Sequence, residues 1–445
     1  MIETDISVGQ KSKLFMKKRY RKILIEQLIP ILAMMGSSFF FVITAILGFD
    51  YSGIGSSNTL LIYSLIILVA TAVLFGKSFI WNGAKITQKD LFLLLVMVVV
   101  LLSYLTSSLF SGRLNPTATT FFLQFLAFSL PAILGALYLS RMQTIFEMAK
   151  LLELVMLLVT LSIFVRLIIP AFRGVRLLTF GGAYFGQIGS YLSAFAFGLN
   201  LYFLFEGSYH DRFALFRSMY YKLLCIYLLF IQIIGFIITG GRGGAVLGAI
   251  YLLYMLLTRL SLRKLKYLLT TIGFLSFLVI TLIAIWPLLM QISAFQYGLF
   301  RVTQFIGSGG GINWAGTSGR DIVYRSALEL IKQRPILGYG IFGMWDFSYY
   351  PHNLFLEVLL QGGVIYLVIM LIVLFLFAWK VTHLISKDRR YKLLVVLFMY
   401  PFVMLMFSGT YLSTPQFWFV LVFVLVSRQG AGKSMNTMRK VGISQ

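Results

Sequence analysis

Charged side chains are scarce in this 445-residue chain, at 12% of its residues, and acidic ones are scarcer, with 14 Asp and Glu against 38 Lys and Arg. Soluble domains carry roughly 25% charged residues, so an ordinary soluble protein is excluded. The single cysteine, Cys225, excludes an intramolecular disulfide. The chain has no Asp-x-Asp, Cys-x-x-Cys or P-loop sequence, so these signs of metal, redox and nucleotide sites are missing.

What the chain has instead is long apolar stretches, with 59% hydrophobic residues overall. A helix of about 20 apolar residues crosses a bilayer, and only helices satisfy their own backbone within lipid. The sequence therefore predicts an all-α polytopic membrane protein with about twelve transmembrane helices. The predicted spans are 25–47, 59–75, 91–111, 118–139, 149–169, 184–205, 222–239, 244–258, 267–290, 354–378, 393–410 and 416–427.

The distribution of basic residues predicts the orientation of these spans. Twelve spans with both termini in the cytoplasm place 28 of the 38 Lys and Arg on the inner side, as the positive-inside rule requires. Because the placement of the basic residues fits membrane orientation, the net positive charge does not indicate nucleic acid as a partner. The predicted segments are a basic cytoplasmic tail at 1–24, helices one to nine at 25–290, a large outer loop at 291–353, helices ten to twelve at 354–427, and a cytoplasmic tail at 428–445.

The ten basic residues left on the outer side are mostly arginine. Nine of the ten are Arg, whereas the inner side has more Lys than Arg. Orientation needs only positive charge, but the planar guanidinium binds phosphate or carboxylate through two parallel hydrogen bonds. The pattern predicts an anionic outer ligand, although outer Arg side chains that only pair with lipid headgroups would look the same. The ten are Arg113, Arg166, Arg173, Arg176, Arg242, Arg301, Arg320, Arg325, Lys332 and Arg334.

Two of these arginines lie in motifs with unusual backbone chemistry. Arg242 lies in TGGRGG, where glycines let a ligand approach the backbone, or else form only a tight turn. Arg320 opens the segment RDIVYRSALELIKQ, which predicts an amphipathic helix in the outer loop, with Ser318 as its N-cap. The free N–H groups at a helix N-terminus attract anions, and Arg320 adds its charge at that position. A solvated capping Arg is the alternative.

A third outer motif, YPHNLFLE, contains the one histidine on the predicted outer side, His352. Pro351 suits the first turn of a helix, so we expect the tenth span to begin near YPHN. A positive helix end keeps a neighbouring imidazole neutral, and a neutral imidazole is what a general base requires. A histidine that is simply hydrogen-bonded at the membrane interface is the alternative, and Glu357 suits helix packing as well as function.

Together these motifs resemble the bacterial O-antigen polymerase and O-antigen ligase family, which contains Wzy-type polymerases and WaaL-type ligases. That family has an Arg flanked by small residues between two central spans, then S-G-R, an amphipathic helix, P-x-L-G-x-G and H-N-x-x-L-E. Here these read GGRGG, SGRDIVYRSALELIKQRPILGYG and PHNLFLE. The resemblance covers about residues 225–380. An upstream segment, RGVRLLTFGGAYFGQIGS, matches more loosely, with Gln187 in place of the family's Asn.

The resemblance implies transfer of a glycan from undecaprenyl pyrophosphate to a sugar hydroxyl at the outer face of the bacterial cytoplasmic membrane. The expected catalytic residues are Arg242, Arg320 and His352. Arginine would replace a metal, so the enzyme is predicted to be metal-independent and without a cofactor. Expected partners are the lipid-linked oligosaccharide, membrane lipids, a flippase and a chain-length regulator. The expected substrate-binding residues are Arg173, Arg176, Tyr350, Asn353 and Glu357.

Several functions remain open at this level. A polymerase of O-antigen, capsular polysaccharide or exopolysaccharide is favoured over an O-antigen ligase, since polymerases occur with or without an outer membrane and nothing here indicates lipopolysaccharide. A protein O-glycosyltransferase is a related alternative. An anion transporter is an alternative from another class, but transporters usually show broken helices and polar residues in mid-span. The sequence shows neither clearly.

Overall fold

A computed structural model of the chain describes residues 26–49, 54–81, 87–110, 115–142, 145–176, 186–206, 218–259, 265–304, 319–346 and 350–427. The regular structure in these ranges is helical, which confirms the predicted all-α polytopic class. The predicted tails at 1–24 and 428–445 lie outside the described residues.

The helices are numbered α1 to α17 in chain order. They are α1 Glu26–Met35, α2 Ser37–Leu47, α3 Ile54–Trp81, α4 Gln88–Phe110, α5 Pro116–Gln124, α6 Leu130–Met142, α7 Ile145–Ile163, α8 Ile169–Phe172, α9 Gly186–Phe205, α10 Met219–Ile238, α11 Arg242–Arg259, α12 Leu265–Leu289, α13 Ser293–Thr303, α14 Arg320–Gln333, α15 Leu354–Lys387, α16 Lys392–Phe407 and α17 Pro415–Val426. Single π-helical turns at Phe125–Ser129 and Phe164–Ile168 join α5 to α6 and α7 to α8.

Each of the twelve predicted apolar stretches is mainly helical where the structure describes it, but fewer than twelve qualify as full spans. In the described part of the chain, nine helices are long and apolar enough to cross a membrane, or ten if α1 and α2 count as one. The other two are α11, which begins and ends with Arg, and α17, which has only twelve residues. The predicted span 25–47 is two helices at 95°, because Gly36 turns the chain with φ +52° against Pro415.

The centre of the bundle is α9, which packs against α7, α10, α11 and α16. In its most apolar stretch 83% of the residues are buried, whereas the corresponding share is 11% in α12 and 6% in α4. Exposed apolar helices such as α4 and α12 need lipid around them, because water would leave their side chains unfavourably solvated. The protein is therefore a multi-pass membrane protein.

Helix α15 is broken near its start, at Gly362 and Gly363. The break leaves backbone groups without partners inside the helix, and the loop that follows α14 supplies them. Tyr339 and Gly340 donate their N–H groups to the carbonyls of Leu360 and Gln361, at 2.8 and 2.7 Å. On the other side of the break, Val364 N donates to Pro335 O at 2.8 Å. The P-x-L-G-x-G sequence thus docks the outer loop onto α15.

The starts of α14 and α15 differ from the sequence predictions. Ser318 lies outside the described residues, and the N-cap position of α14 is Gly319, with φ +77° and no side-chain cap. Helix α15 begins at Leu354, as the predicted span 354–378 does, because the side chain of Asn353 accepts hydrogen bonds from the N–H groups of Phe355 and Leu356. Pro351 thus precedes the helix instead of lying in its first turn. His352 therefore precedes the helix.

Candidate active site

Arg242 is the first residue of α11 and follows directly on the turn that ends α10. Its Nε atom donates a hydrogen bond of 2.9 Å to the backbone carbonyl of Arg301 on α13. Its Nη2 atom is buried and has no hydrogen-bond partner. A buried guanidinium nitrogen without an acceptor is costly, so this side chain is suited to receive a ligand oxygen.

The glycines beside Arg242 have a role in helix packing, whereas the predicted approach of a ligand to their backbone stays a prediction. A Cβ atom at Gly241 or Gly244 would overlap Ser190, and one at Gly243 would overlap the hydroxyl of Tyr191. Both neighbours belong to α9, and Ser190 Oγ bonds to the Gly241 carbonyl at 2.8 Å. The glycines let α9 lie directly against the turn, which holds Arg242 rigidly.

Arg320 opens α14, and its position is fixed by α16. Its Nη2 atom donates to the carbonyl of Phe407 at 2.7 Å, and its guanidinium lies 5.7 Å from the centre of the Phe407 ring. The Phe407 carbonyl belongs to the last residue of α16 and has no partner in its own helix. The C-terminus of α16 therefore orients Arg320.

Arg242 and Arg320, far apart in sequence, line one small cavity of about 50 Å³. A space of this size holds a small anionic group but not a saccharide chain, which must extend outside it. The structure brings together two of the three predicted catalytic residues here and adds a third arginine, Arg301, which the motifs did not indicate. The complete lining is Gln187, Tyr191, Gly240, Gly241, Arg242, Gly243, Arg301 and Arg320.

The three arginines of this cavity, called here the arginine cluster, have no acidic counterpart in the described ranges. Every ion pair found there involves other basic residues. Like charges in one cavity repel one another, and the repulsion is strong where water is limited. An anion that bridges the guanidinium groups relieves this repulsion, so the geometry favours a ligand with more than one negative charge.

His352 does not line the cavity, but it lies within reach of the Arg320 charge. Among the described residues it is the only non-glycine with positive φ, at 51°, a strained conformation that often marks functional positions. Burial lowers the pKa of His352 below its ordinary value of 6.5, and the positive charge of Arg320 lowers it further. The imidazole is therefore neutral at neutral pH and able to accept a proton.

The ring of Tyr350 packs edge-on against His352, with 4.5 Å between ring centroids. Tyr350 also stacks on Trp345, which in turn stacks on Phe121 of α5 at 4.2 Å. The Tyr350 hydroxyl is buried without a hydrogen-bond partner. This arrangement orients the His352 imidazole, whereas the predicted role of Tyr350 in substrate binding stays a prediction.

Asn353 and Glu357 have clear structural roles in this region. The Asn353 side-chain oxygen caps α15, as described above. Glu357 is fully buried and accepts hydrogen bonds from Thr410 and from Gln361, the latter at 3.2 Å. Through Thr410, Glu357 ties the start of α15 to the segment between α16 and α17. The predicted contacts of Asn353 and Glu357 with substrate remain predictions.

Arg176 and Arg173 are exposed and lie at different places. The Arg176 guanidinium lies 5.6 Å from the ring centre of Tyr297, and that of Arg301 lies 6.0 Å from the same centre. Arg176 is thus linked to the arginine cluster through one aromatic ring. Arg173 instead lines an apolar groove of about 840 Å³ between α7–α8, α10 and α12. Their predicted substrate contacts remain predictions.

Sequence reasoning missed three residues of the cavity: Arg301, Tyr191 and Gln187. Arg301 was recognisable as an outer arginine, but no motif surrounds it. Tyr191 lies in the middle of a predicted span, and Gln187 was noted only where it departs from the family pattern. No local signal identifies these positions, because α9 and α13 join the site only through packing.

A comparison with known protein families finds a match in the central part of the chain. Residues 227–371 match the family model described as O-antigen ligase. No curated protein and no solved structure matches the chain. The matched region contains the whole arginine cluster, His352 and the break in α15. The family's substrates are lipid-linked saccharides, and its members lie in the bacterial inner membrane. The resemblance inferred from the motifs is thus confirmed: residues 227–371 form an O-antigen ligase family domain, consistent with the O-antigen polymerase and ligase family.

Proposed function

We propose that this chain is a polysaccharide polymerase of the bacterial cytoplasmic membrane. It transfers an O-antigen, capsular or exopolysaccharide glycan from undecaprenyl pyrophosphate to a hydroxyl group of an acceptor lipid-linked repeat unit. The observation that carries the proposal is the cavity that Arg242 and Arg320 share without an acidic partner among the described residues, next to a histidine that responds to the charge of Arg320.

The residues divide the reaction between them. The diphosphate of the donor binds to Arg242 and Arg320, and His352 takes the proton from the attacking hydroxyl. The acceptor oxygen bonds to the anomeric carbon while the bond from that carbon to the phosphate oxygen breaks, and its electron pair stays on the diphosphate. Guanidinium groups accelerate the step because the charge they face is larger in the transition state than in the bound donor. In this proposal the guanidinium groups stabilise that charge without a metal or cofactor.

The apolar groove lined by Arg173 supports a lipid-linked donor. It lies between membrane-spanning helices, and its lining is apolar apart from Arg173 and Thr281. A polyisoprenyl chain placed there replaces membrane lipid at little cost, since both are hydrocarbon. Arg173 and Arg176 lie only three residues apart, so a donor lying from the groove to Arg176 and Tyr297 reaches the arginine cluster.

An O-antigen ligase or a protein O-glycosyltransferase uses the same donor and differs only in its acceptor, so both remain alternatives. The anion transporter has less support. The described residues contain two breaks that the sequence did not show clearly, at Gly36 between α1 and α2 and at Gly362 and Gly363 in α15. Loop 335–340 fills the break in α15 and pairs with its backbone, and Gly36 turns the chain against Pro415. The proposed orientation places both termini in the cytoplasm and the arginine cluster outside, where a flippase would deliver the donor and a chain-length regulator would act on the product.

The test is to supply the purified protein with a lipid-pyrophosphate repeat unit and to resolve the products. A ladder of increasing length supports the polymerase. A single transfer to lipid A core identifies a ligase, and transfer to a protein identifies an O-glycosyltransferase. An unreacted donor together with solute flux in vesicles identifies a transporter.

Variants of the site sharpen this test. His352→Asn is the suitable substitution because Asn tolerates the left-handed backbone that His352 adopts, and we expect a loss of about 10²- to 10⁴-fold. Arg242→Ala and Arg320→Ala should each lose about 10²- to 10³-fold. Arg325→Ala, an exposed arginine of α14 outside the cavity, is the matched control and should keep normal activity. Normal ladders from His352→Asn would eliminate the general base.

A further inference from the structure

The third arginine of the cavity, Arg301, belongs to none of the sequence motifs, and close backbone packing holds it in place. Arg301 lies in the last turn of α13. That helix contacts the end of α10 so closely that a Cβ atom at Gly298 would overlap the backbone of Ile237 and Ile238. Gly240, with φ +64°, lies against the Arg301 side chain, where an added Cβ would come within 3.1 Å. The fold therefore fixes Arg301 beside Arg242.

Electrostatics alone disfavours this arrangement. Arg301 brings a third positive charge to a cavity that Arg242 and Arg320 already make positive. No carboxylate in the described residues pairs with any of the three. An arginine with only a structural role could be replaced by Gln or Met without this repulsion. A ligand with enough negative charge to bind three guanidinium groups would explain why Arg301 lies in this cavity.

The proposed reaction supplies that charge, so this inference rests on the proposed function. A diphosphate bonded at both ends, to a lipid and to a sugar, carries two negative charges. When the bond to the anomeric carbon breaks, the electron pair stays on the phosphate oxygen and the terminal phosphoryl group becomes a monoester. The second ionisation of a phosphate monoester has a pKa of about 6, so the departing lipid diphosphate gains a third negative charge at neutral pH. The positive charge of two arginines equals the negative charge of the donor diphosphate, and that of three arginines equals the negative charge of the departing lipid diphosphate.

We propose that Arg301 is a diphosphate-binding residue that stabilises the charge developing on the departing lipid diphosphate. Its guanidinium is oriented by the face of Tyr297, with 6.0 Å between the guanidinium carbon and the ring centre. Contact with an aromatic face leaves the N–H groups at the edge of the guanidinium plane free to bind oxygen. Arg176 on the same ring keeps a further positive charge nearby.

Replacing the Arg301 side chain gives a clean test, because Arg242 is bound to the backbone carbonyl of Arg301 rather than to its side chain. Arg301→Gln should leave Arg242 in place. Arg301→Lys keeps the charge but loses the planar fork, and it should restore part of the function. Arg325→Gln, on the exposed face of α14, is the matched control. Thermal unfolding of each purified variant in detergent checks that the fold is retained.

Two measurements are needed, one with and one without turnover. First, calorimetric titration of the purified protein with inorganic pyrophosphate should show at least about tenfold weaker binding for Arg301→Gln than for wild type and for Arg325→Gln. Second, in the polymerisation assay kcat should fall about 10²-fold or more, with a smaller change in KM for the donor, because the lost interaction is strongest after bond breaking.

The possible outcomes are distinct. Pyrophosphate affinity unaffected by Arg301→Gln overturns the inference, and so does a rise in KM with unchanged kcat, which would mean that Arg301 binds donor and transition state equally. Restoration of both readouts towards wild type by Arg301→Lys supports it. If pyrophosphate binding depends on Arg301 but the wild-type protein transfers no glycan to any acceptor, the anion site stands and the proposed function fails.

Discussion

The Nε atom of Arg242 donates a hydrogen bond of 2.9 Å to the backbone carbonyl of Arg301, which joins the TGGRGG turn to α13 across about sixty residues of sequence. The bond leaves the Nη2 atom of Arg242 buried and without a partner. Since α13 carries the third arginine of the cavity, this hydrogen bond ties the Arg242 side chain to the helix that bears Arg301, while the packing of α13 on α10 positions Arg301. The arginine cluster is thus a rigid, preorganised site, which is what electrostatic catalysis requires.

The pKa of His352 should depend on Arg320. Because burial and the Arg320 charge both lower this pKa, the imidazole should titrate below pH 6.5, and transfer activity should be lost as the pH falls through that lowered value. Arg320→Gln should raise the pKa but leave it below 6.5, since burial remains. With His210 and His383 replaced by Gln, a ¹³C NMR titration observes His352 alone, as the chain has only three histidines. The same pKa with and without Arg320 would contradict their proximity.

Two glycines of the P-x-L-G-x-G motif should respond differently to alanine. Both Gly338 and Gly340 have positive φ, and this strain alone should cost about 1 kcal/mol in each alanine variant. A Cβ atom at Gly338 would also lie 2.6 Å from backbone atoms of Leu360 and Gln361, whereas one at Gly340 would meet only Gly343 N, at an ordinary contact distance of 3.8 Å. Gly338→Ala should therefore be less stable than Gly340→Ala by about 1–3 kcal/mol, measured by thermal unfolding in detergent. Equal stabilities would mean that loop 335–340 does not dock onto α15.

The proposed orientation can be tested with single cysteines. In a Cys225→Ser background, Ser326→Cys on α14 should react with a membrane-impermeant maleimide in intact cells. Ser386→Cys near the end of α15 should react only after the membrane is opened. Both serines are exposed, so accessibility within the protein is matched. Labelling of Ser386→Cys alone in intact cells would reverse the proposed topology.

Chelation of divalent cations should leave the transfer reaction intact. Three arginines face the cavity in which we place the diphosphate, so they supply the counter-charge. EDTA added to the purified protein and lipid-linked substrate should leave the product ladder unchanged. A glycosyltransferase known to require Mg²⁺, treated in the same way, shows that chelation is complete. Loss of the ladder with EDTA and its return with Mg²⁺ would contradict the proposal of an arginine-only mechanism.

Much of the candidate site could be predicted from local patterns. Arg242, Arg320 and His352 each stand in a short segment whose glycines, proline or helix start are unusual for an apolar chain. These features act over a few residues and are therefore readable in sequence. They indicated which residues carry chemistry, and two of the three now share a cavity. They did not indicate geometry, so Pro351 was expected in the first turn of α15, whereas it precedes the N-cap residue Asn353.

The rest could not be predicted, for identifiable reasons. Arg301 has no motif around it, and its place in the cavity depends on α13 packing against α10. The glycines beside Arg242 were assigned to ligand approach or a tight turn, and the sequence could not show that Ser190 and Tyr191 of α9 pack directly against them. Broken helices were not recognised either, since Gly362 and Gly363 lie inside a continuous apolar run.

The sequence by itself determined the class of protein, because the length of an apolar run and the scarcity of charge decide locally that a segment is a membrane helix. It also determined the candidate residues of the motifs. Only the tertiary structure decided which of them meet and which further residue joins them. Convergence of like charges is unfavourable for any isolated segment, so no local pattern encodes it, and it exists here only because the packing of α9, α10 and α13 holds Arg301 beside Arg242.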